Sequence, residues 1–152
     1  MTGIDKIEEF KDYLSNEGLK FTRQRRTIAE VFFQADGHMS LTDLLTMAQE
    51  DAPSIGYATV YRTMKLMADG GFADAHRFAE GGEVRYEPAV EGGHHDHLIC
   101  LQCGVIVEYE DHEIERLQEA VAKRLGFEIA HHRHEIYGRC VKVNCEELKK
   151  RS

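Results

Sequence analysis

The chain has 152 residues, 42% of them hydrophobic and 30% charged, with a net charge of −8. That composition belongs to a globular chain rather than a disordered one, and the length allows one domain or two small ones. No run of about 18 apolar residues is present to span a bilayer as a helix, and the charged N-terminal segment lacks the apolar stretch of a secretory signal, so a cytoplasmic location is expected.

Ile4, Ile7, Phe10 and Leu14 recur at helical spacing, and Gly18 is a natural stop. Thr22 can cap a second helix that turns Ile28, Val31 and Phe32 inward. Ser40 with Asp43 reads as a capping box opening a third, with Leu41, Leu44, Leu45 and Ala48 on one face and Pro53 beyond its end. A fourth helix follows Gly56, buries Val60, Met64 and Met67, and closes at Gly70 or Gly71. Two short strands, FADAHRF and EVRYE, are then joined by the turn EGG. Short helices followed by a hairpin give the order of a winged helix-turn-helix.

The stretch PAVEGG, residues 88–93, reads as a hinge. Beyond it, His97 to Leu101 and Val105 to Tyr109 read as strands. Ile114, Leu117, Val121 and Leu125 define a helix ending at Gly126, and Phe127 to Tyr137 reads as a further strand. The expectation is an α+β chain: a winged-helix domain over residues 1–88 and a small α/β domain over 89–152. Domains this small bury little core, and a bound metal or a partner subunit is a common staple.

Four cysteines in a reducing compartment bind metal more readily than they form disulfides. Cys100 and Cys103 form a CxxC followed by Gly104, while Cys140 and Cys145 form a wider pair. Four thiolates suit tetrahedral Zn²⁺. Buried free thiols are the plain alternative; a redox CxxC would open a helix, whereas here another strand follows. Six of the nine histidines fall in two clusters, His94, His95 and His97, then His131, His132 and His134. If residues 94–98 are extended, His94 and Asp96 face one way and His95 and His97 the other. One strand would then feed two sites of nitrogen and oxygen ligands suited to Fe²⁺, Mn²⁺, Co²⁺, Ni²⁺ or Zn²⁺.

The net negative charge hides a local basic element. Lys20, Arg23, Arg25 and Arg26 lie in KFTRQRR, while acidic residues concentrate between Glu108 and Glu119. Screening limits the reach of distant charges to about 10 Å, so one basic face can still bind DNA. Tyr57, Thr59, Tyr61 and Arg62 lie on the fourth helix, where hydroxyls, an aromatic face and a guanidinium could meet base edges and phosphates. An ordinary solvated helix face is the alternative for those four.

The order GLKFTRQRR, ATVYRTMKLM, HHDHLICLQCG and a closing IYG-R-C resembles the ferric uptake regulator family over essentially the whole chain. The resemblance implies a homodimeric repressor of a palindromic double-stranded DNA operator, with a C-terminal dimerisation domain, no membrane, no small organic substrate and no enzymatic activity. It implies structural Zn²⁺ on Cys100, Cys103, Cys140 and Cys145, although many relatives carry a CxxC as the second pair. The regulatory metal would take His38, Glu87, His95, His97 and Glu108, and an auxiliary ion His94, Asp96, Glu115 and His132. His131 and His134 match no ligand position and are expected to be exposed strand residues. The peroxide-sensing branch would carry aspartate in place of Glu87 and Glu108, and zinc sensors usually have a cysteine in the hinge set, which is absent between His76 and His97. Both points favour Fe²⁺, with Mn²⁺, Co²⁺ or Zn²⁺ as replacements. A metal-dependent hydrolase or a metal-buffer protein would leave KFTRQRR and YATVYRT without a role.

Overall fold

The computed structural model describes residues 3–78, 81–89 and 95–141, and the chain divides into two compact units, Met1–Glu91 and Gly92–Ser152. In the first unit the apolar spacing resolves into α1 (Gly3–Asn16), α2 (Arg23–Gln34), α3 (Leu41–Asp51) and α4 (Tyr57–Asp69). Thr22 caps α2 by accepting from the Arg25 N–H. Ser40 and Asp43 form a reciprocal capping box at α3, satisfying donors that the first turn otherwise leaves unpaired. Burial disfavours ionisation of Asp43, but hydrogen bonds from the Ser40 N–H and hydroxyl, together with the Arg85 charge, outweigh it and hold the carboxyl below its usual value.

Phe10, Leu14, Ile28, Phe32, Leu44, Val60, Met64 and Met67 are completely buried and form one core. Each such side chain contributes about 1.5–3 kcal/mol on leaving water, set against the conformational entropy lost on folding. At its edge β2 (Ala73–Arg77) and β3 (Val84–Pro88) form the expected hairpin, and β1 (Met39–Ser40), two residues too short to show any alternation in sequence, pairs with the other side of β3. This antiparallel sheet brings the residue before β1, His38, beside the hairpin.

The second unit contains β4 (Asp96–Cys100), β5 (Ile106–Tyr109), α5 (His112–Leu125) and β6 (Glu135–Gly138). The sheet order is β5-β4-β6, with β4 antiparallel to β5 and parallel to β6. Asp111 caps α5, and Gly126 closes it at φ 82°, a left-handed conformation that costs glycine nothing and a branched residue much. The strand expected over Phe127–Tyr137 is confined to Glu135–Gly138. Its pairing with β4 begins at Glu135 and His97, preceded by one bond from the His97 N–H to the His134 carbonyl at 3.1 Å. The first unit's dense core has no counterpart among the described residues of the second. Among the described residues only Ile99, Cys100 and Val105 are buried apolar side chains, and α5 buries none of its residues.

Candidate metal centres and nucleic-acid interface

The thiol site is built by a knuckle between β4 and β5. Gly104, at φ 74°, lets the chain reverse, and its N–H bonds the Cys100 carbonyl at 2.8 Å. The Leu101 N–H bonds the Gly138 carbonyl at 2.8 Å, which brings Cys140 alongside from the end of β6. The Sγ atoms of Cys100, Cys103 and Cys140 can all lie within 4.8 Å of one another, and Cys103 and Cys140 are 4.0 Å apart. Two sulfurs on one tetrahedral zinc, at Zn–S of about 2.3 Å, are about 3.8 Å apart, so the donor set fits that ion. The Cys103 N–H is the foremost cause that holds the Cys100 thiol down to about 6, helped by the Cys140 and Gln102 N–H groups and the Cys140 thiol against the opposing effect of burial. A cysteine in this state is a thiolate at neutral pH, the form that binds metal. Cys145 lies outside the described residues.

On one side of β4, Asp96 is grouped with Glu115 of α5 and His132, again with ligand atoms within 4.8 Å of each other. His132 Nε2 is 3.2 Å from Glu115 Oε1, and Asp96 is 1% exposed. His94, expected in the same set, lies outside the described residues. The neighbouring His134 is half-buried, with Nδ1 3.1 Å from Tyr109 Oη and 3.3 Å from Asp96 Oδ2, while His131 is exposed and neither precedes nor joins a strand directly. Burial, with the charges of Asp96 and Asp111, raises Tyr109 above the usual phenol value.

His95 and His97 meet ring to ring at 5.0 Å, and His97 stands opposite Glu108 in the antiparallel register. His95 Nε2 is 3.9 Å from Glu108 Oε1. In the first unit, His38 Nε2 is 3.1 Å from Glu87 Oε2. His76 Nε2 is 2.8 Å from the other carboxylate oxygen, Oε1, and Phe78 stacks on the His76 ring at 5.4 Å. Glu87 is buried; a carboxylate out of water requires such partners. The sequence reading missed His76 because its meeting with Glu87 depends on the register of β2 and β3, which a lone strand histidine does not announce.

The basic element and α4 converge on one cleft of about 480 Å³ lined by Lys20, Thr22, Gln24, Arg25, Thr59 and Arg62 with no acidic residue. The Arg25 guanidinium also donates to the Lys20 carbonyl at 2.5 Å, fixing that corner. Tyr57 and Tyr61 project from α4, 53% and 48% exposed. Arg23 and Arg26 are both exposed, and Arg26 also lies 5.3 Å from the Phe21 ring centre and 3.8 Å from Glu30.

The model of the ferric uptake regulator family matches residues 16–137. The chain belongs to the ferric uptake regulator family. It is 40% identical over 141 residues to the ferric uptake regulation protein of Brucella abortus biovar 1, covering 93% of this chain and 94% of that protein. The structure of the Helicobacter pylori ferric uptake regulator, described as having three functional metal-binding sites, matches at TM-score 0.87 with 27% identity, covering 96% of this chain and 95% of that one. The iron-containing ferric uptake regulator of Francisella tularensis matches at TM-score 0.75 with 31% identity, covering 85% and 96%. As a ferric uptake regulator family member, the chain is a metal-responsive transcriptional regulator with the α+β architecture of that family.

Proposed function

We propose that this regulator is a cytoplasmic homodimeric repressor that closes on a palindromic operator when Fe²⁺ binds. The regulatory ion would take His38 and Glu87 from the first unit and His95, His97 and Glu108 from the second, with Mn²⁺, Co²⁺ or Zn²⁺ able to substitute. The observation that carries this reading is the pairing within each unit: His38 already sits against the buried Glu87 carboxylate, and His97 faces Glu108 across two strands. An ion bound by both half-sets favours one arrangement of the two units, and in a twofold dimer that arrangement fixes the spacing of the two copies of α4. Metal and DNA then strengthen each other's binding.

Structural Zn²⁺ would be held by Cys100, Cys103, Cys140 and Cys145, supplying folding energy to a unit with little core. Asp96, Glu115 and His132, with His94, would hold an auxiliary ion. Lys20, Arg23, Arg25, Arg26 and Arg62 would contact phosphates, and Tyr57, Thr59 and Tyr61 would approach the bases. The unpacked apolar face of α5 would meet its counterpart in a second copy. Support for iron comes from Glu87 and Glu108 at positions where a peroxide sensor is expected to carry aspartate, and from the Francisella relative described with iron.

The test is metal-dependent binding to a palindromic duplex by His38→Ala and Glu87→Ala. Both variants should bind the duplex alike with and without Fe²⁺. Retention of the wild-type metal response in both would sink the two-unit ligand set.

A further inference from the structure

His134 belongs to none of the ligand sets above, yet it is fastened at both ends. Its carbonyl accepts from the His97 N–H at 3.1 Å, which ties its backbone to β4. Its ring nitrogen Nδ1 faces Asp96 Oδ2 at 3.3 Å and Tyr109 Oη at 3.1 Å. Asp96 and Tyr109 are direct partners in the β4–β5 register, and His134 reaches them from the residue immediately before β6. In the tautomer that carries its proton on Nδ1, His134 donates to the Asp96 carboxylate, which when ionised only accepts, and Tyr109 Oη accepts from the same N–H.

A carboxylate turns easily about its terminal torsion, and Asp96, 1% exposed, has little access to water that might orient it. Glu115 and His132 meet at 3.2 Å on the other side of the cluster. We propose that His134 is a positioning residue for the auxiliary metal set, fixing the Asp96 carboxylate through an Nδ1–H···Oδ2 bond so that it meets the ion in one orientation beside Glu115 and His132. The proposal rests on the reading of Asp96, Glu115 and His132 as a metal site. Groups that orient ligands in this way typically contribute 10–100-fold to metal affinity.

The experiment titrates Zn²⁺ into the full-length chain, with its thiolate zinc retained, against a chromophoric chelator that reports the number and affinity of binding events. Asp96→Asn and His132→Ala should each remove the same event. His134→Ala should weaken that event by roughly 10–100-fold and leave the others unchanged. His134→Asn, whose amide N–H can stand in for Nδ1–H, should recover most of the loss, whereas His134→Leu, which fills space without a donor, should not. An unchanged His134→Ala, equal recovery by Leu and Asn, or no recovery by Asn would overturn the positioning role. If Asp96→Asn removes no event, the auxiliary site and the proposal fall together; if it does and His134→Ala has no effect, only the role of His134 is lost.

Discussion

Leu117 offers a quantitative test of how the second unit completes its core. It lies on the face of α5 that also carries Val121 and Leu125, and these three are 54%, 43% and 65% exposed. With Ile114, Gln118, Phe127 and His134 they line an open, largely apolar groove. Leu117→Ala removes about three CH₂ equivalents, each worth about 0.8 kcal/mol when fully buried. A second copy can cover only the exposed half of the side chain, which leaves about 1.3 kcal/mol per protomer and about 2.6 kcal/mol across a twofold interface. The dimer dissociation constant should rise roughly 80-fold, read by sedimentation velocity over a concentration series. The thiolate zinc content should not change. Glu119→Ala, an exposed substitution on the same helix, is the control. If Leu117→Ala shifts the constant no further than Glu119→Ala, α5 is not the buried element of the dimer and the reasoning fails.

Three further outcomes follow from the geometry. Ser40→Ala removes both the cap on α3 and the hydroxyl bonded to Asp43 at 2.7 Å, so the first unit should lose about 1 kcal/mol in chemical denaturation. Lys20→Ala should weaken binding to all duplexes alike and reduce the slope of log K against log salt by about 1, whereas Arg26→Ala, turned toward Phe21 and Glu30, should affect that slope less. In the metal-free chain the Cys100 thiol is held down to about 6 from 9.0. Between those values the unfolded state carries a proton that the folded state lacks, so stability rises with pH. That contribution should be complete above about pH 9 and lost as pH falls through about 6, checked by unfolding melts across the window with and without Cys100→Ser.

The local chemistry of this chain was legible in its sequence. Helix spacing, the Ser40–Asp43 box, the glycine stops and the CxxC depend on residues a few positions apart, and short-range hydrogen bonds and side-chain periodicity are written directly into such neighbours. The family resemblance rests on the same kind of local motif. The β2–β3 hairpin was legible from its turn, but its register and the pairing of the other strands were not. The meeting of His76 with Glu87 needs the β2–β3 register, and that of His134 with Asp96 and Tyr109 needs a parallel strand arriving from 38 positions along the chain. Phe127 to His134 carries residues compatible with a strand, yet a strand exists only where a neighbour's N–H and C=O groups pair with it, and among the described residues that pairing starts at Glu135. Sequence therefore determined which chemical groups this regulator possesses. Tertiary structure decided which of them stand within reach of one another, because register and strand length are properties of two segments at once.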